Sequence, residues 1–352
     1  MNGSLRIAQV APLWAAVPPA GYGGIELVVS LLTEELVRRG HDVTLFASGD
    51  SHTAARLESV CAENILELMS RGSIFSYDFY AAANLARALA AADQFDLIHV
   101  HLGNQWIPFG AMTKVPTIFT MHTQPSEDDA WIVREHPAVP VAAISAFQAE
   151  SLKSGRDIPV VYNGCDFDSF TPSFSAGGYA AFFGRMSREK NPLDAIRIAQ
   201  RAGLPIVLAG MPQNSNECSY FDREIKPLID NSSVRHIGAV NHAQKNEFLR
   251  NASVLISPLQ WSEPFGLVMI EAMACGTPVL ARRCGAIGEI VDTGKTGFSA
   301  EEISGFDALL ERTMALDRRT VREHARARFG HTRMADDYLA LYRAIARGAA
   351  DC

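Results

Sequence analysis

At 352 residues the chain is long enough for two domains of roughly 150 residues each. Hydrophobic residues make up 48% and charged residues 20%, which excludes disorder, a collagen-like fibre and a disulfide scaffold. With 32 Lys+Arg against 39 Asp+Glu the formal net charge is −7, so the chain lacks the basic footprint of a nucleic-acid binder, and any anion must be held by a local site.

Strand and helix signals alternate from the start. Leu5–Ala11 is an apolar run of strand length. Ile25, Val28, Leu32 and Leu36 form a helical stripe that Arg39-Gly40-His41 ends. Asp42–Ala47, Asp96–Val100, Thr117–Met121 and Val141–Ile144 read as buried strands, and Val160–Tyr162 as another before the turn Asn163-Gly164. Residues 165–178, rich in Ser, Gly, Asp and Pro, read as a linker. The alternation then restarts with Tyr179–Phe183, Pro205–Ala209, Val234–Ile237, Val254–Ser257 and Pro278–Ala281. Near the end, Met334, Tyr338, Leu341, Tyr342 and Ile345 form a last helical stripe. This pattern predicts an α/β protein of two doubly wound, Rossmann-like domains with parallel sheets and a cleft between them. Ligands of such sheets bind beyond the carboxyl ends of the strands, so functional motifs belong just after strands.

Six cysteines (Cys61, Cys165, Cys218, Cys275, Cys284 and Cys352) contain no CxxC pair, which fits reduced thiols in a cytoplasmic protein and argues against structural zinc. The N-terminal MNGSLRIAQVAP lacks the apolar core of a signal peptide, and no uncharged apolar run reaches transmembrane length.

The most informative segment runs from Ser262 to Pro278, after the strand Val254–Ser257. Pro264 suits a first helical position, and Gly276 and Pro278 stop the helix. The helix is apolar almost all round yet carries Glu271, which must meet a partner or a ligand. Glu263 lies just ahead, and the amides of Phe265, Gly266, Leu267 and Val268 would offer an anion site. A second segment follows Phe183: Gly184-Arg185-Met186-Ser187-Arg188-Glu189-Lys190-Asn191-Pro192. Asn191 reads as an N-cap and Pro192 as the next first helical residue, leaving Arg185 and Lys190 bracketing a loop. Two cations there can neutralise a diphosphate without a metal. A third is Gly21-Tyr22-Gly23-Gly24 before the first helix; the residues Pro12–Ala20 separate it from the strand, which argues against an NAD fingerprint. His122 directly follows the strand Thr117–Met121, and His99 and His101 alternate on another without an obvious third metal ligand.

The two glutamates eight apart resemble the E-x7-E motif of retaining, GT-B-fold, family-4 glycosyltransferases. The resemblance extends over nearly the whole chain, with glycine loop, histidine, Arg/Lys pair and E-x7-E in family order. It implies that Glu263 contacts the donor sugar, that Glu271 binds the ribose hydroxyls, and that the amides of Phe265–Val268 hold the diphosphate with Arg185 and Lys190. It places Gly23 and Gly24 in a loop over the donor phosphate and His122 near the donor sugar, and it has the last helix cross back to the first domain. The stretch Gly285-Ala286-Ile287-Gly288-Glu289 resembles the family's glycine-rich run but lacks its GG pair and proline. Asp166-Phe167-Asp168 is formally a DxD and is expected to be a turn, not a metal site. Glu127-Asp128-Asp129 reads as a solvated loop.

The expected organisation is an acceptor domain over 1–165 with a crossover helix over 333–352, and a donor domain over 173–332. The expected activity is transfer of a hexose from a UDP- or GDP-hexose to an acceptor hydroxyl with retention, without a metal or other cofactor. A nucleotide-sugar epimerase of the same fold and a non-catalytic nucleotide-sugar binder are the alternatives. Residues 1–170 hold 10 basic and 19 acidic side chains, and the remainder 22 and 20. The acidic half is the expected acceptor side, which argues against docking on anionic lipid and favours a soluble small-molecule or saccharide acceptor.

Overall fold

The computed structural model describes residues 3–350 apart from Tyr22, Phe75 and Ala176. Two compact units emerge. One takes in the chain through Gly164 and again from His331, and the other is Cys165–Gly330.

The first unit is built on a six-stranded parallel sheet: β1 (Arg6–Val10), β2 (Asp42–Phe46), β3 (Arg56–Glu58), β4 (Leu97–Val100), β5 (Thr117–Thr120) and β6 (Val141–Ala142). Their order is β3-β2-β1-β4-β5-β6. In register, Ile7 faces Val43 on one side and Leu97 on the other, so β1 is buried from both edges. Burial of both faces is why these strands read as continuous apolar runs. Helices Gly24–Arg38 and Tyr77–Ala90 cover the sheet, and the C-terminal helix His331–Ala350 packs against Gly24–Arg38.

The second unit repeats the plan with β7 (Tyr179–Phe183), β8 (Ile206–Ala209), β9 (Val234–His236), β10 (Ala252–Ser257), β11 (Val279–Arg282) and β12 (Gly297–Ala300), in the order β12-β11-β10-β7-β8-β9. Its core gathers Phe182, Ile196, Leu208, Ile256, Leu280 and Phe306.

Several local expectations are corrected. Val160–Tyr162 is not a strand but a single bridge from Val160 to Ala143, and Asn163-Gly164 forms no turn: the chain runs on without one to Cys165, which bridges to Gly330. The edge strands β3 and β12 went unread; each is short and pairs on one side only. The supposed linker at 165–178 is folded into the second unit: Phe167 and Phe170 are buried, and Arg322 donates to the Phe167 carbonyl at 2.6 Å. Glu127-Asp128-Asp129 is the first turn of a helix, Glu127–Glu135, closed by a capping box between Ser126 and Asp129. Asp166 caps a short 3₁₀ turn and Asp168 pairs with Arg326 at 2.8 Å. Among the described residues no helix is long and apolar enough to cross a membrane.

Candidate active site

In the second unit the strand order reverses between β7 and β10, which are neighbours. A crevice opens at such a switch point, and the residues just after both strands face it. After β7 the chain is pressed against its neighbour: Gly184 donates to Ala209 at 3.1 Å, and a Cβ on Gly210 (φ +122°) would lie 2.8 Å from the Gly184 carbonyl carbon. The loop ends at Asn191, whose left-handed φ of 60° an asparagine tolerates, and its side chain caps the helix Pro192–Arg201. The Asn191 amide donates to the Pro258 carbonyl at 3.0 Å, and the Gln260 N–H donates to Glu189 at 2.8 Å. The loops after β7 and β10 are thereby stitched together.

That stitching brings Lys190 onto Glu263. The Lys190 ammonium pairs with Glu263 Oε2, to which the Trp261 indole also donates at 3.1 Å, and it lies 4.7 Å from the centre of the Trp261 ring. Glu263 is 8% exposed. Its backbone is held from behind by Gly285, whose φ is +60°; a Cβ there would meet Glu263 N at 2.5 Å and Ser262 C at 2.8 Å. The Ala286 N–H donates to the Glu263 carbonyl at 2.8 Å. Arg185, from the same loop, pairs with the buried Glu217 and with the exposed Glu189 at 3.0 Å. Arg188 turns aside to Glu224 and lies 4.6 Å over the Tyr220 ring.

The helix after Glu263 is Leu267–Ala274, not a helix from Pro264. Gly266 takes a left-handed φ of 99° and serves as the N-cap, a conformation that glycine alone adopts freely and that outweighs the preference of proline for a first turn. Leu267 and Val268 therefore occupy the first turn, whose N–H groups lack intrahelical acceptors. Phe265 precedes the helix, and its buried ring packs edge-on against Phe329 at 5.9 Å. The carboxylate demanded by the sequence to have a partner has one: Glu271 pairs with Lys245 of the helix His242–Arg250. Both side chains are nearly buried, and the ammonium lies 5.7 Å from the Phe170 ring. Lys245, Trp261 and Glu217 were missed. Only the solitary Glu271 on an apolar helix signalled that a partner or a ligand had to approach.

Glu271→Ala should destabilise the unit by about 3–5 kcal/mol in chemical denaturation, because Lys245 is then buried without a counter-ion. Five cysteines are free thiols, while Cys352 lies outside the described residues. Burial, with Glu271 nearby, pushes the Cys275 thiol up to about 12.

In the first unit Gly23 (φ +150°) is the N-cap of Gly24–Arg38. A Cβ on it would strike Pro19 at 2.7 Å, so the loop closes tightly on itself; Tyr22 lies outside the described residues. Burial raises the Glu26 carboxyl in the same turn. At the carboxyl ends of β1, β4 and β5 the histidines form a buried polar cluster in place of a metal seed. His101 Nδ1 meets His122 Nε2 at 2.9 Å, and His101 Nε2 meets Gln9 Oε1 at 2.8 Å. His99 lies between Tyr342 Oη at 2.6 Å and Thr120 Oγ1 at 2.7 Å. Among the described residues no group of three His, Cys, Asp or Glu is arranged to hold a metal ion.

Burial pushes His99 and His101 well below the usual histidine range and His122 down to about 3. Below about pH 6.5 the unfolded chain takes up protons on these rings and the folded chain does not. Stability is therefore full above pH 6.5 and falls by about 1.4 kcal/mol per ring for each pH unit below it. The expected result is a Tm that drops clearly between pH 7.5 and 5.5; a flat Tm would show that the rings are not held neutral.

Comparison with known proteins covers both units. The model of glycosyl transferases group 1 matches residues 171–318, and that of glycosyltransferase family 4 matches residues 22–169. A phosphatidyl-myo-inositol mannosyltransferase of Mycobacterium tuberculosis is 27% identical over 323 residues, covering 83% of this chain and 82% of its own. A D-inositol 3-phosphate glycosyltransferase of a Mycobacterium species (strain JLS) is 29% identical over 362 residues, covering 86% and 81%. Among solved structures, AviGT4, a glycosyltransferase involved in avilamycin A biosynthesis, superposes with a TM-score of 0.74 at 27% identity over 98% of both chains. With two Rossmann-like parallel sheets, E-x7-E on one of them and a family model on each half, the chain belongs to the family-4 glycosyltransferases of the GT-B fold and is a glycosyl-transferring enzyme.

Proposed function

We propose that this enzyme moves a hexosyl group from a nucleoside diphosphate hexose to an acceptor hydroxyl, with retention at the anomeric carbon and without a metal. The observation that carries the reading is the meeting of Lys190 with Glu263 and Trp261 at the switch point between β7 and β10. A cation, a carboxylate and an indole N–H converge there beside the helix start at Leu267. Lys190 and Arg185 neutralise the departing diphosphate, a task that a divalent cation performs elsewhere. Amides of Leu267 and Val268 bind its oxygens. Glu271, oriented by Lys245, receives the ribose hydroxyls.

Glu263 and His122 position the sugar. Glu263 is engaged by Lys190 and Trp261, which suits a positioning role better than that of the nucleophile in a retaining glycosidase. Retention then follows from attack on the face that the diphosphate leaves, the leaving phosphate taking the acceptor proton. A soluble polyol or saccharide acceptor suits the acidic first half; of the two mycobacterial relatives, one is named for D-inositol 3-phosphate, a soluble polyol phosphate, and the other for phosphatidyl-myo-inositol, a lipid.

The test is incubation with labelled UDP- and GDP-hexoses and a panel of polyols and saccharides, with and without EDTA. Expected are nucleoside diphosphate release that EDTA leaves unchanged and a glycoside of the donor's own anomeric configuration. A free epimerised sugar nucleotide, or binding without turnover, would overturn the reading. Arg185→Ala should lower kcat at least tenfold with saturating donor; full activity would remove Arg185 from the clamp.

A further inference from the structure

The first unit holds a continuous buried hydrogen-bond chain that the proposed reaction leaves without a role. It joins β1, β4 and β5 to the C-terminal helix. Gln9, His99, His101, Thr120, Tyr338 and Tyr342 are all within 1% of full burial. Buried polar groups this closely linked fix each other's hydrogens, because each unpaired donor would cost about 1–3 kcal/mol.

Gln9 sets the direction, since its amide has two unlike ends. Its nitrogen donates to Tyr342 Oη at 3.2 Å, and its oxygen faces His101 Nε2 at 2.8 Å. A carbonyl oxygen only accepts, so His101 carries its hydrogen on Nε2. Burial keeps that ring neutral, and Nδ1 is then an acceptor. His122 Nε2, 2.9 Å away, must therefore donate. On the other branch the Tyr342 hydroxyl, already accepting from Gln9, gives its hydrogen to His99 Nδ1 at 2.6 Å. His99 Nε2 then donates to Thr120 Oγ1, which shares a further hydrogen bond with Tyr338 Oη at 3.0 Å.

We infer that this chain, anchored on Tyr342, locks His122 as the Nε2–H tautomer and leaves its Nδ1 a bare acceptor for a substrate hydroxyl, making Tyr342, Gln9 and His101 positioning residues of the transfer reaction. Nδ1 of the half-buried His122 has no partner among the described residues. A ring fixed in this way receives a hydroxyl hydrogen and cannot offer one, so it selects the orientation of the sugar hydroxyl it meets. The inference rests on His122 facing substrate.

The test uses the full-length chain with ¹⁵N-labelled histidine. Two-bond nitrogen–proton correlations separate the two neutral tautomers, and the signals lost in His122→Asn assign that ring. Expected for the wild type is hydrogen on Nε2 of His122. In Tyr342→Phe the Gln9 amide loses its acceptor and is free to turn, so His122 is expected to show both tautomers and kcat to fall about five- to tenfold. Gln9→Met should give the same pattern and serves if Tyr342→Phe does not fold. Hydrogen on Nδ1 of His122 in the wild type would overturn the inference. So would an unchanged tautomer or an unchanged kcat in both variants. If His122→Ala kept full activity, the placing of His122 at the substrate would fail instead, whichever tautomer is observed.

Discussion

Lys190→Met is expected to lower kcat about 100- to 1,000-fold, the usual effect of removing one group that stabilises developing negative charge. The side chain sits at the seam between the loops after β7 and β10, paired with Glu263 and stacked over Trp261. In the proposed reaction charge builds on the diphosphate as transfer proceeds, and a preset ammonium would stabilise that charge without reorganisation. The same substitution strands a largely buried carboxylate. Glu263 keeps the Trp261 N–H, so the cost to stability is about 1–3 kcal/mol, a drop of several degrees in Tm. The two effects separate in the double variant Lys190→Met, Glu263→Gln. There the stranded charge is gone, so Tm recovers while kcat stays low. Lys190→Arg keeps the charge and should keep more activity than Lys190→Met. If Lys190→Met retained more than a third of wild-type kcat, Lys190 would serve the fold alone.

What the sequence made legible follows from where periodicity and local chemistry suffice. β1, β4, β7 and β10 are buried on both faces, so they read as apolar runs, and β3 (Arg56-Leu57-Glu58) and β12 (Gly297-Phe298-Ser299-Ala300) escaped because each has a single large apolar residue and no such run. Asn191-Pro192 announced its helix, since cap and first turn are local. Pro264 misled by three residues, because the left-handed Gly266 sets the helix start and φ is invisible in a residue's name. Glu271 declared its need of a partner, but nothing local pointed to Lys245, 26 residues away. The histidine cluster lies further still from local reasoning. Gln9 and Tyr342 are 333 residues apart, and only the return of the last helix to the first unit joins them. His99 and His101 alternate as a metal seed would, and they resolve into hydrogen bonds with Tyr342, Thr120 and Gln9 that only the fold brings within reach.

Gly285→Ala is expected to cost about 100-fold in kcat/KM, while Gly288→Ala, three residues on in the same glycine-rich stretch, should stay within about twofold. The contrast follows from what each new methyl meets. At Gly285 the backbone is left-handed, a penalty of about 1–2 kcal/mol for alanine. The added carbon also runs into the backbone of Glu263 and Ser262, which cannot swing away as a side chain tip can. The segment carrying Glu263 must therefore move. A shift near 1 Å suffices to part Glu263 from Lys190 and Trp261 and accounts for a loss of about 100-fold. At Gly288 the nearest atoms belong to the Arg283 guanidinium, 3.2 Å away on a long exposed side chain that yields readily. Gly294→Ala, with φ +77° and nothing within 4 Å, isolates the backbone penalty from the clash and should lower stability alone. Steady-state kinetics with saturating acceptor and thermal melts of the three variants decide the matter. Equal kcat/KM for Gly285→Ala and Gly288→Ala would show that Gly285 does not hold Glu263 in place.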